Sequence, residues 1–107
     1  MTKRLLLVPA TLAATLAVTA VPATAVNTIA VKDNVFSPKS TSVKRNTTVT
    51  FRWAGRAPHN VKVSSGPVKF ASTIKTTGTY KRKMTRKGTY KIVCTIHPGM
   101  NLTLRVT

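Results

Sequence analysis

The sequence predicts an all-β domain, an antiparallel sandwich or barrel, on three observations. Beyond Ala25 apolar and polar residues alternate with a period of two, the pattern of strands with one buried face. Nowhere do the apolar positions recur at helical spacing for more than one or two turns. Turn-forming residues, Ser37-Pro38, Ala54-Gly55, Ser65-Gly66-Pro67, Thr77-Gly78, Lys87-Gly88 and Pro98-Gly99, break the chain at short intervals, as many short strands require.

In chain order, an opening strand is expected around Thr28 to Lys32. Thr48 to Trp53 sends Val49, Phe51 and Trp53 to one face and Thr48, Thr50 and Arg52 to the other. Pro58 to Val63 follows, with His59, Val61 and Val63 on one face and Asn60 and Lys62 opposite. Ser64 to Thr77 has no clear period and reads as a loop or an irregular edge strand. Thr79 to Met84 carries the run Lys81-Arg82-Lys83, in which Arg82 shares the face of Tyr80 and Met84. An inward charge of that kind suits a sheet edge. Thr89 to Cys94 and Met100 to Val106 complete the set, the latter with Met100, Leu102, Leu104 and Val106 inward.

The 107 residues hold one domain at most. Residues 1–25 read as a secretory signal: Lys3-Arg4, an apolar run from Leu5 to Val21, then Ala23-Thr24-Ala25. The rival reading is a membrane tether, since Leu5 to Val26 is long enough to span a bilayer. Either way the domain occupies 26–107 and is exported, to a periplasm or the cell exterior. Eighteen Lys and Arg stand against one acid, Asp33, for a net charge of +17. Such a field favours anionic partners, an acidic protein surface or an anionic cell-envelope surface. Nucleic acid is not expected for an exported chain, and a monomer is.

A lone cysteine, Cys94, excludes an intramolecular disulfide. It leaves a buried inert thiol, an intermolecular crosslink, a nucleophile or a metal ligand. Its surroundings bear on the choice. In Cys94-Thr95-Ile96-His97-Pro98-Gly99-Met100 a thiol, an imidazole and a thioether recur every three residues. The strand ending at Cys94 turns at Pro98-Gly99 and returns from Met100, so one loop can present three donors around a point. The chain's other histidine, His59, heads the Pro58 to Val63 strand. Two imidazoles, one thiolate and one weak thioether suit copper, whereas zinc prefers four strong donors. Each of these residues taken singly has an ordinary structural use, the Cys and Met as apolar filler and the His as a hydrogen-bonded side chain. Haem attachment would need a second cysteine. A thiol protease would need an oriented third group and a substrate cleft, and no enzymatic activity is expected.

Ala57-Pro58-His59-Asn60-Val61, Gly88-Thr89-Tyr90-Lys91-Ile92-Val93-Cys94 and the Cys94 to Met100 loop, with Val35-Phe36-Ser37-Pro38 and Thr48-Val49-Thr50-Phe51 earlier, resemble the cupredoxins, most closely the amicyanin–plastocyanin branch. The resemblance implies a Greek-key sandwich holding one type 1 copper ion, with His59, Cys94 and His97 equatorial and Met100 axial. It further implies that Asn60 lies behind the ligands and ties its loop to Thr95. Asn46 and Gly99 depart from the family pattern, and the rim around His97 is expected to draw its apolar surface mainly from Pro98 and Ala57. The expected function is single-electron exchange through His97 with a redox protein that meets Lys81, Arg82, Lys83, Arg86 and Lys87. The same ligands would also serve a copper carrier or store, and the same basic surface an interaction module without a redox role.

Overall fold

In the computed structural model, residues 27–107 are described; the signal reading of 1–25 lies outside them. The regular elements described are eight strands: β1 (Thr28–Lys32), β2 (Val35–Ser37), β3 (Ser40–Val43), β4 (Thr48–Trp53), β5 (Lys62–Ser65), β6 (Thr79–Lys83), β7 (Gly88–Val93) and β8 (Asn101–Val106). They form two four-stranded sheets, ordered β2-β1-β4-β6 and β3-β8-β7-β5. The all-β sandwich expected from the alternation is present. Its sheets are mixed, because β1 lies parallel to β4 and β3 parallel to β8. Period two determines which face a residue takes and is silent about the strand it meets. The chain crosses between sheets after β2 and again after β3, and these crossovers bring strands distant in sequence side by side in the same direction.

Alternation sorts the side chains as expected. Val49, Phe51 and Trp53 of β4, and Leu102, Leu104 and Val106 of β8, are buried between the sheets with Ile29, Val31, Phe36, Tyr90 and Ile92. Each such side chain contributes roughly 1.5–3 kcal/mol on leaving water. That sum is what holds together a small domain whose only cysteine is unpaired. Tyr90 fastens the β6–β7 corner by donating its buried hydroxyl to the Arg86 carbonyl at 2.7 Å. Asn46 takes the left-handed conformation (φ 73°) in the turn before β4, which a short polar side chain tolerates.

Two elements differ from the sequence expectation. Val35–Ser37 and Ser40–Val43 are strands in their own right, too short to stand out as alternating runs. Pro58 to Val63 is not one regular strand, since β5 starts at Lys62 and carries a register shift between Val63 and Ser65. Residues 59–63 pair on their other side with the unpatterned segment, through bridges His59↔Lys75 and Lys62↔Ala71. Breaking the alternation has a direct consequence: His59, Asn60 and Val61 are all buried in succession.

β6 is an edge strand, and Arg82 does face inward there, its guanidinium 4.9 Å from the Phe70 ring centroid.

Candidate metal centre

The loops at one end of the sandwich gather the sequence's candidate donors. His59 is completely buried and its backbone is held on both sides. Its N–H donates to the Lys75 carbonyl at 2.9 Å, and its carbonyl accepts from Lys75 N–H at 2.9 Å and from the Trp53 indole Nε1–H at 3.1 Å. Three such bonds fix the main chain from which the ring projects.

Cys94 follows β7 and Met100 precedes β8, and both are buried. The Cys94 N–H donates to the Met100 carbonyl at 3.2 Å, and the Met100 N–H to the His97 carbonyl at 3.1 Å. These bonds close the Cys94 to Met100 loop as a tight unit. Gly99 sits at φ 88° within it, the left-handed conformation expected after Pro98.

The side chains meet across the two segments. The His59 Nδ1 lies 3.8 Å from the Cys94 Sγ, and the rings of His59 and His97 are 4.5 Å apart between centroids at a 49° tilt. Half-buried His97 has its Nε2 3.2 Å from the Pro58 carbonyl. A carbonyl can only accept, so that bond assigns its proton to Nε2. Asn60, 7 % exposed, accepts at its Oδ1 from the Thr95 N–H at 2.8 Å and the Thr95 hydroxyl at 3.2 Å. The expected tie from Asn60 to Thr95 is therefore present as a side-chain clamp.

One pair of these donors has the spacing that a shared copper ion would need. Two donors bound to one first-row ion at about 2.0 Å (N) and 2.3 Å (S), at a trigonal angle, stand about 3.7 Å apart. The His59–Cys94 separation of 3.8 Å matches that requirement. The donors are one thiol, two imidazoles and a thioether, all but His97 shielded from water. Among the described residues no three His, Cys, Asp and Glu side chains converge as a metal cluster of those types.

Sequence reasoning missed Asp33. In the β1–β2 turn its carboxylate accepts from the His59 Nε2 at 2.9 Å and from the backbone N–H groups of Ala57 and Arg56 at 2.9 and 3.0 Å. The bond to His59, then those to Ala57 and Arg56, holds the Asp33 carboxyl down at about 2. Being the sole acid was its only signal in the sequence. Ile96 was missed as well. It is 41 % exposed and adds apolar surface beside His97 that Pro98 and Ala57 alone would not provide.

The five basic residues expected to meet a partner are spread over the fold. Arg82 is turned under the sheet onto Phe70, because strand alternation places it opposite Lys81 and Lys83. Arg86 and Lys87 sit before Gly88, at the end of β7 remote from Cys94. Six residues at about 3.3 Å rise put roughly 20 Å between them and the metal end. Lys81 and Lys83 run down the flank toward that far end. Nearer the site, Lys32, Arg52 and Arg56 are exposed.

Comparisons with known proteins agree with the fold. A family model described as a cupredoxin-like domain matches residues 5–105. Among solved structures, the copper(I) form of an amicyanin variant is similar at 27 % identity and a TM-score of 0.68, over 79 % of this chain and 85 % of that one. A copper-containing nitrite reductase from Thermus scotoductus SA-01 is similar at 25 % identity and a TM-score of 0.70, over 91 % of this chain and 25 % of that larger one. A purple cupredoxin from Nitrosopumilus maritimus, at 21 % identity and a TM-score of 0.68 over 75 % of this chain and 98 % of that one, shares the fold. No curated protein matches the sequence.

Proposed function

The chain belongs to the cupredoxin-like domain family, and on that premise we propose that it is an exported electron carrier in which His59, Cys94, His97 and Met100 hold one copper ion. The observation that carries the proposal is the 3.8 Å approach of the His59 Nδ1 to the Cys94 Sγ, made inside the protein by segments 35 residues apart in sequence.

When bound there, copper supplies a one-electron couple, Cu(I)/Cu(II). The chain's residues do the rest. Thiolate and thioether favour the reduced ion and imidazoles accept both states, so Cys94 and Met100 on one side and His59 and His97 on the other suit a couple that must run in both directions. Burial of His59, Cys94 and Met100 excludes water. The backbone bonds that clamp His59 and close the Cys94 to Met100 loop keep the donors in place while charge changes, so little reorganisation accompanies each transfer. Half-buried His97, beside exposed Ile96 and Pro98, is the point where an electron enters and leaves.

The electron partner is a protein with an acidic surface, steered by the excess of Lys and Arg over the single acid, Asp33. Lys32, Arg52 and Arg56, at the metal end, orient it better than Arg86 and Lys87 can. The chain carries electrons and does not itself transform a substrate. Its similarity to a nitrite reductase covers a quarter of that enzyme.

The test is the visible spectrum on adding Cu(II) to the purified protein. An intense thiolate-to-copper charge-transfer band, lost in Cys94→Ser with the fold retained, is expected. A wild-type protein that stays colourless refutes the reading.

A further inference from the structure

The chain's one acid is committed to its buried histidine. Asp33 accepts from the His59 Nε2 and from two backbone N–H groups of the loop that carries His59. Three features show a built arrangement. Asn34, next in the turn, is left-handed at φ 68°, a conformation that turns the chain sharply beside Asp33. Gly55 is packed so closely on Asp33 that a Cβ there would overlap the carboxylate, so the loop can approach only without a side chain at that position. His59 is 0 % exposed while the Asp33 side chain is 43 % exposed. The carboxylate therefore stands between the ring and solvent as the nitrogen's partner.

A neutral imidazole has one proton and two nitrogens. A carboxylate accepts and does not donate, so the proton sits on Nε2 and the lone pair on Nδ1, the nitrogen facing Cys94. We infer that Asp33 is the positioning residue of this centre: it locks His59 as the Nε2–H tautomer, presents Nδ1 as the donor, and strengthens that donor toward the oxidised ion. The last step rests on the copper reading; the tautomer does not. The physical basis is general. A carboxylate drawing on the far N–H of an imidazole fixes the ring and raises its basicity, and a more basic nitrogen favours the higher charge of Cu(II) over Cu(I).

The experiment has two arms on the full chain. In the metal-free wild-type protein, long-range proton–nitrogen NMR of His59 should show a single Nε2–H tautomer, and Asp33→Ala should show a mixture. A wild-type ring protonated on Nδ1, or already mixed, overturns the positioning role and needs no variant to do so. In the copper-loaded protein, Asp33→Asn keeps an oxygen for the N–H and removes the charge. It should weaken Cu(II) relative to Cu(I) about tenfold, which raises the reduction potential by about 59 mV. A merely structural Asp33 would lower the unfolding midpoint and leave the potential unmoved, and that result overturns the donor-strengthening step. A colourless protein whose His59 is Nε2–H refutes the copper reading while upholding the tautomer lock.

Discussion

Asn60→Ala should loosen the clamp between the His59 segment and the Cys94 to Met100 loop at a cost of about 2 kcal/mol in the metal-free protein. The Asn60 Oδ1 accepts from the Thr95 N–H at 2.8 Å and from its hydroxyl at 3.2 Å. Truncation leaves the N–H without its partner, at about 1–3 kcal/mol. The hydroxyl belongs to an exposed residue and turns to water, so its loss adds little. In a domain of this size, 2 kcal/mol lowers the thermal midpoint by roughly 8–16 °C. Asn60→Asp retains an acceptor at the same place and should stay within about 1 kcal/mol of wild type. Thermal and urea unfolding of the three proteins, followed by circular dichroism, measures this directly. An Asn60→Ala midpoint indistinguishable from wild type, or an Asn60→Asp loss as large as that of the alanine variant, would refute the clamp. Copper-loaded protein should show a larger difference than metal-free protein, because the ion stabilises only a fold that holds its ligands together.

Acid should reveal Asp33. Its folded carboxyl lies at about 2 against an ordinary 3.8, so the stability it contributes is complete above about pH 4 and is lost as pH falls toward and through 2; urea midpoints should fall over that range in wild type and much less in Asp33→Asn. Phe51→Ala removes a ring that is 0 % exposed, at a cost of about 3–5 kcal/mol, and calorimetry should show a transition near room temperature or none. Gly99→Ala meets no neighbouring atom but must hold φ 88°; its cost of roughly 1–2 kcal/mol should appear in unfolding of the metal-free protein. Reversing charge at Arg52 and Arg56 should slow electron exchange with an acidic redox protein at low salt, while reversing Arg86 and Lys87 should change it far less. Stopped-flow rates against ionic strength decide that comparison, and equal effects would remove the orientation argument.

The legible part of this protein is what local pattern encodes. Alternation in β4 and β8 announced Val49, Phe51, Leu102 and Leu104 as core, because a strand's faces follow from the chain's own geometry. The candidate donor loop was legible for the same reason: Cys94, His97 and Met100 lie within seven residues, and Pro98-Gly99 specifies the turn between them. His59 and its tie from Asn60 to Thr95 depended on resemblance, since no local rule relates residues 35 apart.

Tertiary structure decided what depends on which segments meet. The parallel pairings of β1 with β4 and β3 with β8 follow from crossovers between sheets, and alternation contains no information about them. Asn60 is buried, against a regular alternation, because its segment pairs irregularly on both sides. Arg82 lies beneath the sheet and Arg86 and Lys87 at the far end, so a run contiguous in sequence is divided in space by strand direction. Asp33, 26 residues before His59, has no motif to mark it. Only the packing of the β1–β2 turn against Gly55 brings the single carboxylate to the single buried imidazole.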